Sequence, residues 1–186
     1  VICSRLNKQE RRLGKQSVFA MIENEVEAAD FDRFVSVGRL DEATTGLLIL
    51  TTDGGMVHSL ASPEAKVAKR YEVTTARRLD DEAVQRLRAG VEIELETNGH
   101  IETYITAPAE AMIESDGRLS LVINEGKKRR IRRMVSAVGG EVVALHRRAI
   151  GRLDLRDHRL NQGDVLDISD RDVLALVGVD VEDKRP

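Results

Sequence analysis

Apolar and polar positions alternate along the 186-residue chain in short stretches, with no repeat of fixed period and no run long enough to cross a membrane. Ser17 to Ile22 reads as the start of a short helix. Phe34 to Val37 reads as a strand ending at Gly38, and Leu47 to Thr52 as a short buried strand broken by Asp53-Gly54-Gly55. Lys69 to Ala76 alternates at the strand period. Asp80 then suits the N-cap of a helix over Asp81 to Ala89, which Gly90 closes. From Val91 to Ile123 the pattern is mostly β, with hairpin signals at Asn98-Gly99 and Asp116-Gly117. Lys128 to Val138 follows as a helix, because Ile131, Met134, Val135 and Val138 recur at i, i+3, i+4 and i+7, and Gly139-Gly140 ends it. Val142 to Ile150, Leu153 to Leu155 and Val165 to Ile168 read as further strands, and Ser169 caps a last helix to about Val177. The expectation is an α+β domain over residues 1–178, built on a largely antiparallel sheet, followed by a polar tail over 179–186.

Composition narrows the function classes. A single cysteine, Cys3, cannot build a disulfide framework and suits a reducing, cytoplasmic setting. The opening residues lack the basic-then-apolar pattern of a secretory signal. His58, His100, His146 and His158 show no metal-ligand spacing with one another or with Cys3, so no metal site is expected. Without tryptophan, and with only 3% aromatic residues, any RNA binding cannot rest on an aromatic stacking platform of the RRM kind. Charge adds a positive clue. Between Lys127 and Arg152 nine basic residues face Glu141 alone, a net +8, which leaves −11 for the rest of a chain whose net charge is −3. Such a split fits a polyanion held at one defined surface, although a solvated arginine-rich helix face is the plainer explanation of a charge run by itself.

Three segments carry candidate chemistry. Gly38-Arg39-Leu40-Asp41-Glu42-Ala43-Thr44-Thr45-Gly46 places Asp41 on a polar loop between two apolar strands, where reactive groups are commonly mounted. Its alternative role is a turn aspartate bonding to nearby backbone amides. In the second segment, from Asn124 to Met134, a residue advances roughly 100° per step on a helix. Arg132 then falls at the edge of the buried face, where a half-buried guanidinium needs a carboxylate, while Arg129 and Arg133 point outward toward any phosphates. The third is Lys69-Arg70-Tyr71-Glu72-Val73, in which Tyr71 either stacks on a base or is an ordinary half-buried aromatic.

Together these segments resemble the RsuA-type pseudouridine synthases, the group that isomerises uridines in ribosomal RNA. The matching residues are Gly38-Arg39-Leu40-Asp41 with Thr44-Thr45-Gly46-Leu47-Leu48, Asp53-Gly54, Lys69-x-Tyr71-x-Val73, Glu125-Gly126-Lys127, Ile131-Arg132-Arg133-Met134, Ala137-Val138-Gly139, and Leu145-His146-Arg147 through Ile150-Gly151. The resemblance implies two lobes sharing one mixed, largely antiparallel sheet with a cleft between them. It implies Asp41 as catalytic aspartate, Arg132 as its ionic partner, and Tyr71 against the target uracil. Arg39 would hold the flipped-out nucleotide, while Lys69, Lys127, Lys128, Arg129, Arg130, Arg133 and Arg147 would bind the RNA backbone. It further implies ribosomal RNA as partner, no cofactor and a monomer, with a lean toward the small-subunit RNA. Arg130 departs from the family's usual glutamine, and neither the lysine-proline-glycine stretch usual before Cys3-Ser4 nor an S4 RNA-binding domain precedes it here. A second Gly-Arg-Leu-Asp, at Gly151 to Asp154, lacks the Thr-Thr-Gly-Leu continuation and reads as a decoy. Two rival readings are a non-catalytic RNA-binding or ribosome-assembly module on the same scaffold, and a protein-binding domain whose basic helix meets an acidic partner.

Overall fold

A computed structural model describes residues 3–62, 65–97, 100–124 and 130–178. Chain contacts divide it into two compact units, Val1–Val67 with Ala149–Pro186, and Ala68–Arg148.

In the first unit, α1 (Lys8–Arg12) opens on a capping box in which Asn7 and Glu10 each bond the other's backbone amide. Ser17 caps a single 3-10 turn over Val18–Met21, shorter than a full helix. After α2 (Ala28–Phe31), strand β1 (Val35–Val37) pairs antiparallel with β3 (Ile49–Thr51), Val37 opposite Ile49. In the chain between them comes β2 (Thr44–Gly46), so Thr44 and Thr45 are strand residues and not part of the polar loop that the sequence suggests. Asp53-Gly54-Gly55 does more than break a strand. The Asp53 carboxylate accepts from the Gly55 amide and caps α3 (Gly54–Ala61), whose Met56 and Leu60 enter the core. Val37, Ile49, Val67, Ile150, Leu153, Val173 and Val177 complete that core. The last strand of the unit, β10 (Leu153–Asp154), pairs with Ala149 and Ile150. The expected strand over 165–168 does not form. Val165 and Leu166 are exposed and the segment joins no ladder, since two apolar side chains without a neighbouring strand have nothing to pack against. Ser169 caps α6 (Asp170–Val177) as expected.

The second unit is a sheet with two helices packed on it. Strand β4 (Lys69–Thr75) pairs antiparallel with β8 (Leu119–Ile123), and β8 with β7 (Glu110–Ile113). On the other side of β4 lies β9 (Val142–Ile150), which runs on into the first unit. Register fixes the buried face: Tyr71 stands opposite Leu121 and Val73 opposite Leu119. Over it pack α4 (Asp81–Ala89), capped by Asp80 and burying Ala83, Val84 and Leu87, and α5 (Arg130–Ala137), burying Ile131, Met134 and Val135. Strands β5 (Glu92–Thr97) and β6 (His100–Ile105) form a separate antiparallel hairpin. The hairpin signal at Asn98-Gly99, the Glu125–Arg129 stretch and the tail over 179–186 lie outside the described residues.

Gly151 explains why the second Gly-Arg-Leu-Asp is structural. Its φ of 57° turns the chain between β9 and β10, and a side chain there would collide with the end of α6, 2.6 Å from the Val177 Cα. The neighbouring Arg152 amide donates to the Leu176 carbonyl at 2.7 Å, so α6 has no room to retreat. Gly151→Ala is therefore expected to destabilise the fold by about 2–4 kcal/mol, from overpacking plus the left-handed backbone. Urea unfolding checks this, and a loss below about 1 kcal/mol contradicts the packing described.

Candidate active site

The loop of the first unit that carries Asp41 is anchored at both ends. Strand β1 ends at Val37, and Gly38, at φ 70°, turns the chain as few other residues do. Arg39 is exposed, Leu40 and Asp41 are half-buried, and Glu42 and Ala43 are exposed. The Thr44 amide donates to the Asp41 carbonyl at 2.8 Å, closing a turn that leads straight into β2. It is thus the backbone of Asp41 that makes the turn. Within this unit and among the described residues, its carboxylate accepts no hydrogen bond, unlike those of Asp53 and Asp80, which serve as helix caps. A side-chain carboxylate left unengaged on a fixed turn is able to attack, accept a proton or pair with a cation.

In the second unit Lys69, Tyr71 and Val73 share one face of β4. Tyr71 is buried and Lys69 half-buried. Burial first, and the nearby Arg147 charge second, hold the Lys69 ammonium below the usual lysine range. On the opposite face Glu72 is a hub: Arg118 bonds one carboxylate oxygen, and Arg148 lies 3.6 Å from the other. Asp116 in turn holds Arg118, with contacts of 2.6 and 2.7 Å.

Helix α5 sorts its arginines by angle. Arg132 is half-buried at the edge of the apolar face, as the helical spacing indicates, and donates to the Val142 carbonyl at 3.0 Å. Arg133 does not stand fully clear of the protein, being half-buried with its guanidinium donating to the Glu94 carbonyl. It borders an open depression of about 450 Å³ along β5, with Glu92, Glu94 and Ile101. Arg130 is the clearest revision. Expected at the RNA backbone, it is 2% exposed, with its guanidinium 5.7 Å from the Tyr104 ring centre. The signal was in the spacing: Arg130 lies only about 40° from Met134 around the helix, nearer the buried face than Arg132 is to Val135. Arg147, also expected at the RNA, is equally buried on β9. Lys127, Lys128 and Arg129 lie outside the described residues. Among the described residues no three His, Cys, Asp or Glu side chains are grouped to hold a metal ion, and no helix is long and apolar enough to cross a membrane.

Residues 14–137, a span that includes Asp41, Tyr71 and Arg132, match the RNA pseudouridylate synthase family. The chain belongs to that family. Among its relatives is the ribosomal small subunit pseudouridine synthase A of Vibrio cholerae, 34% identical over 139 residues, which cover 75% of this chain and 57% of the relative. An uncharacterized RNA pseudouridine synthase of Bacillus subtilis is 37% identical over 143 residues, or 75% of this chain and 56% of that one. The chain thus spans about half the length of the curated relatives it matches. A crystal structure of a pseudouridylate synthase superposes with a TM-score of 0.77 at 28% identity, covering 95% of this chain and 68% of that one. It shares the pseudouridine synthase fold that the motifs imply.

The depressed Lys69 has a thermodynamic signature. Its folded pKa lies below its unfolded one, so the fold carries the cost of a desolvated ammonium at neutral pH, and that cost disappears as pH rises through the folded pKa toward 10.5. Lys69→Met is expected to melt above the parent protein at pH 7, with the gap closing by about pH 10. Thermal unfolding across that range checks it, and a gap that widens with pH contradicts the burial described.

Proposed function

We propose that this chain catalyses the isomerisation of a uridine in ribosomal RNA to pseudouridine, with Asp41 as the catalytic aspartate. The observation that carries the proposal is the family match across 14–137, which runs through the Asp41 loop, the β4 tyrosine and the arginines of α5 in one ordered span. The names of the relatives favour small-subunit ribosomal RNA as the substrate.

The reaction breaks the N1–C1′ bond of uridine, turns the released uracil and rejoins it through C5, which loses its proton to solvent while the freed N1 takes one up. Atoms and electrons balance without an oxidant, reductant or second substrate, so side chains suffice. The nucleotide must first leave its stack, at a cost of a few kcal/mol that contacts to the surrounding RNA supply. Arg39, exposed beside Asp41, suits that task. A carboxylate suits the chemistry because it can attack the sugar or the ring, or take a proton, and then leave.

Tyr71 and Arg132 are assigned to the same site on the family resemblance: Tyr71 to pack against the uracil, and Arg132 to keep Asp41 ionised. An adjacent positive charge lowers a carboxylate pKa where loss of water would raise it. Lys69 and Arg133 reach the surface only in part, and Arg130 and Arg147 scarcely at all, so among the described residues named for RNA binding Arg39 is the exposed one.

Release of tritium from ribosomal RNA carrying 5-tritiated uridine tests the proposal. Asp41→Ala is expected to release none above background. Arg132→Ala is expected to lose turnover by at least a hundredfold while RNA binding stays within about threefold, since its charge acts on Asp41 more than on phosphate. Full activity in Asp41→Ala, or equal losses of binding and turnover in Arg132→Ala, would contradict these roles.

A further inference from the structure

The Cys3 sulfur is buried against the residue that precedes Asp41. The Leu40 amide donates to Sγ at 3.3 Å, and the thiol donates to the Leu40 carbonyl at 3.6 Å. A thiol is a weak donor and a weak acceptor, and here it uses both capacities on one residue. The segment around Cys3 is itself fastened. Ser36 Oγ, from β1, donates to the Cys3 carbonyl at 3.0 Å, and Ser17 Oγ donates to the Ser4 carbonyl at 2.7 Å. Ser17 also accepts from the Phe19 amide at 3.2 Å, so the same hydroxyl caps the 3-10 turn. All of these residues belong to one compact unit.

On the other side of Asp41, the Thr44 amide holds the Asp41 carbonyl. The backbone is therefore gripped immediately before and immediately after the carboxylate, and the grip before it comes from Cys3. We propose that Cys3 is a positioning residue for Asp41: its thiol fixes the Leu40 backbone, which leaves only the aspartate side chain free to move. This deepens the reading of Asp41 as catalytic and rests on it. Hydrogen bonds that hold a reacting group in its productive geometry act on turnover more than on substrate binding.

Four variants and two readouts separate the possibilities. Cys3→Val fills the space but neither donates nor accepts, Cys3→Ala empties it, Cys3→Ser restores a donor and acceptor, and Asp41→Asn tests the underlying reading. With tritiated ribosomal RNA, Cys3→Val and Cys3→Ala are expected to lose about twofold to tenfold in kcat with KM unchanged, and Cys3→Ser to recover most of it. Hydrogen exchange at the Leu40 amide, followed by NMR without RNA, is expected to quicken by a similar factor in Cys3→Val and Cys3→Ala and to slow again in Cys3→Ser. Wild-type kcat in Cys3→Val, or unchanged Leu40 exchange in both non-bonding variants, overturns the proposal. If Asp41→Asn is inactive while all Cys3 variants keep full kcat, the positioning role alone fails. If Asp41→Asn stays active, the reading of Asp41 fails and the role of Cys3 falls with it.

Discussion

A carboxylate that is to react at one atom of one nucleotide needs a backbone that does not move. The seven residues from Gly38 to Thr44 meet that constraint with few parts. They hang between β1 and β2, turn at a glycine with positive φ, and close through the Thr44 amide on the Asp41 carbonyl. Pairing of β1 with β3 sets the start of the loop against the core through Val37 and Ile49. None of these ties uses the Asp41 carboxylate, so the backbone is held while the group proposed to react stays clear of the ties.

The cationic segment is organised by the same economy. An acidic chain that concentrates +8 between Lys127 and Arg152 is expected to show those charges to a polyanion, but several of them are architectural. Arg130 and Arg147 are buried, Arg148 faces Glu72, and Arg132 and Arg133 each donate to a backbone carbonyl. Guanidinium groups tolerate such positions because their planar set of donors can be met piecemeal by carbonyls, carboxylates and aromatic faces. The crowding has a local consequence at Lys69, whose ammonium is disfavoured by burial and by Arg147.

Where local chemistry decides an element, the sequence was enough to read it. Asp80 and Ser169 cap the helices assigned to them, Gly90 closes the first of those helices, and alternation marks β4. Elements decided by neighbours were not legible. Thr44 and Thr45 look like turn residues and form a strand, whereas 165–168 looks like a strand and finds no partner. Asp53-Gly54-Gly55 reads as a breaker, yet the same aspartate starts a helix, because a cap and a turn use one chemistry. At the candidate site, helical spacing put Arg132 at a half-buried edge, but the run of basic residues masks the inward angle of Arg130. The contact of Cys3 with Leu40 was not legible, since a bond across 37 positions leaves no local trace.

Formation of pseudouridine in ribosomal RNA through the Asp41 carboxylate, as proposed, is open to test on the RNA itself. The most direct measurement is to incubate unmodified small-subunit ribosomal RNA with the protein and with its Asp41→Asn form, then map pseudouridines by carbodiimide labelling and reverse transcription. The account predicts a discrete new pseudouridine with the parent protein and none with Asp41→Asn. The same modification in both samples, or no modification in either small- or large-subunit RNA, would contradict it.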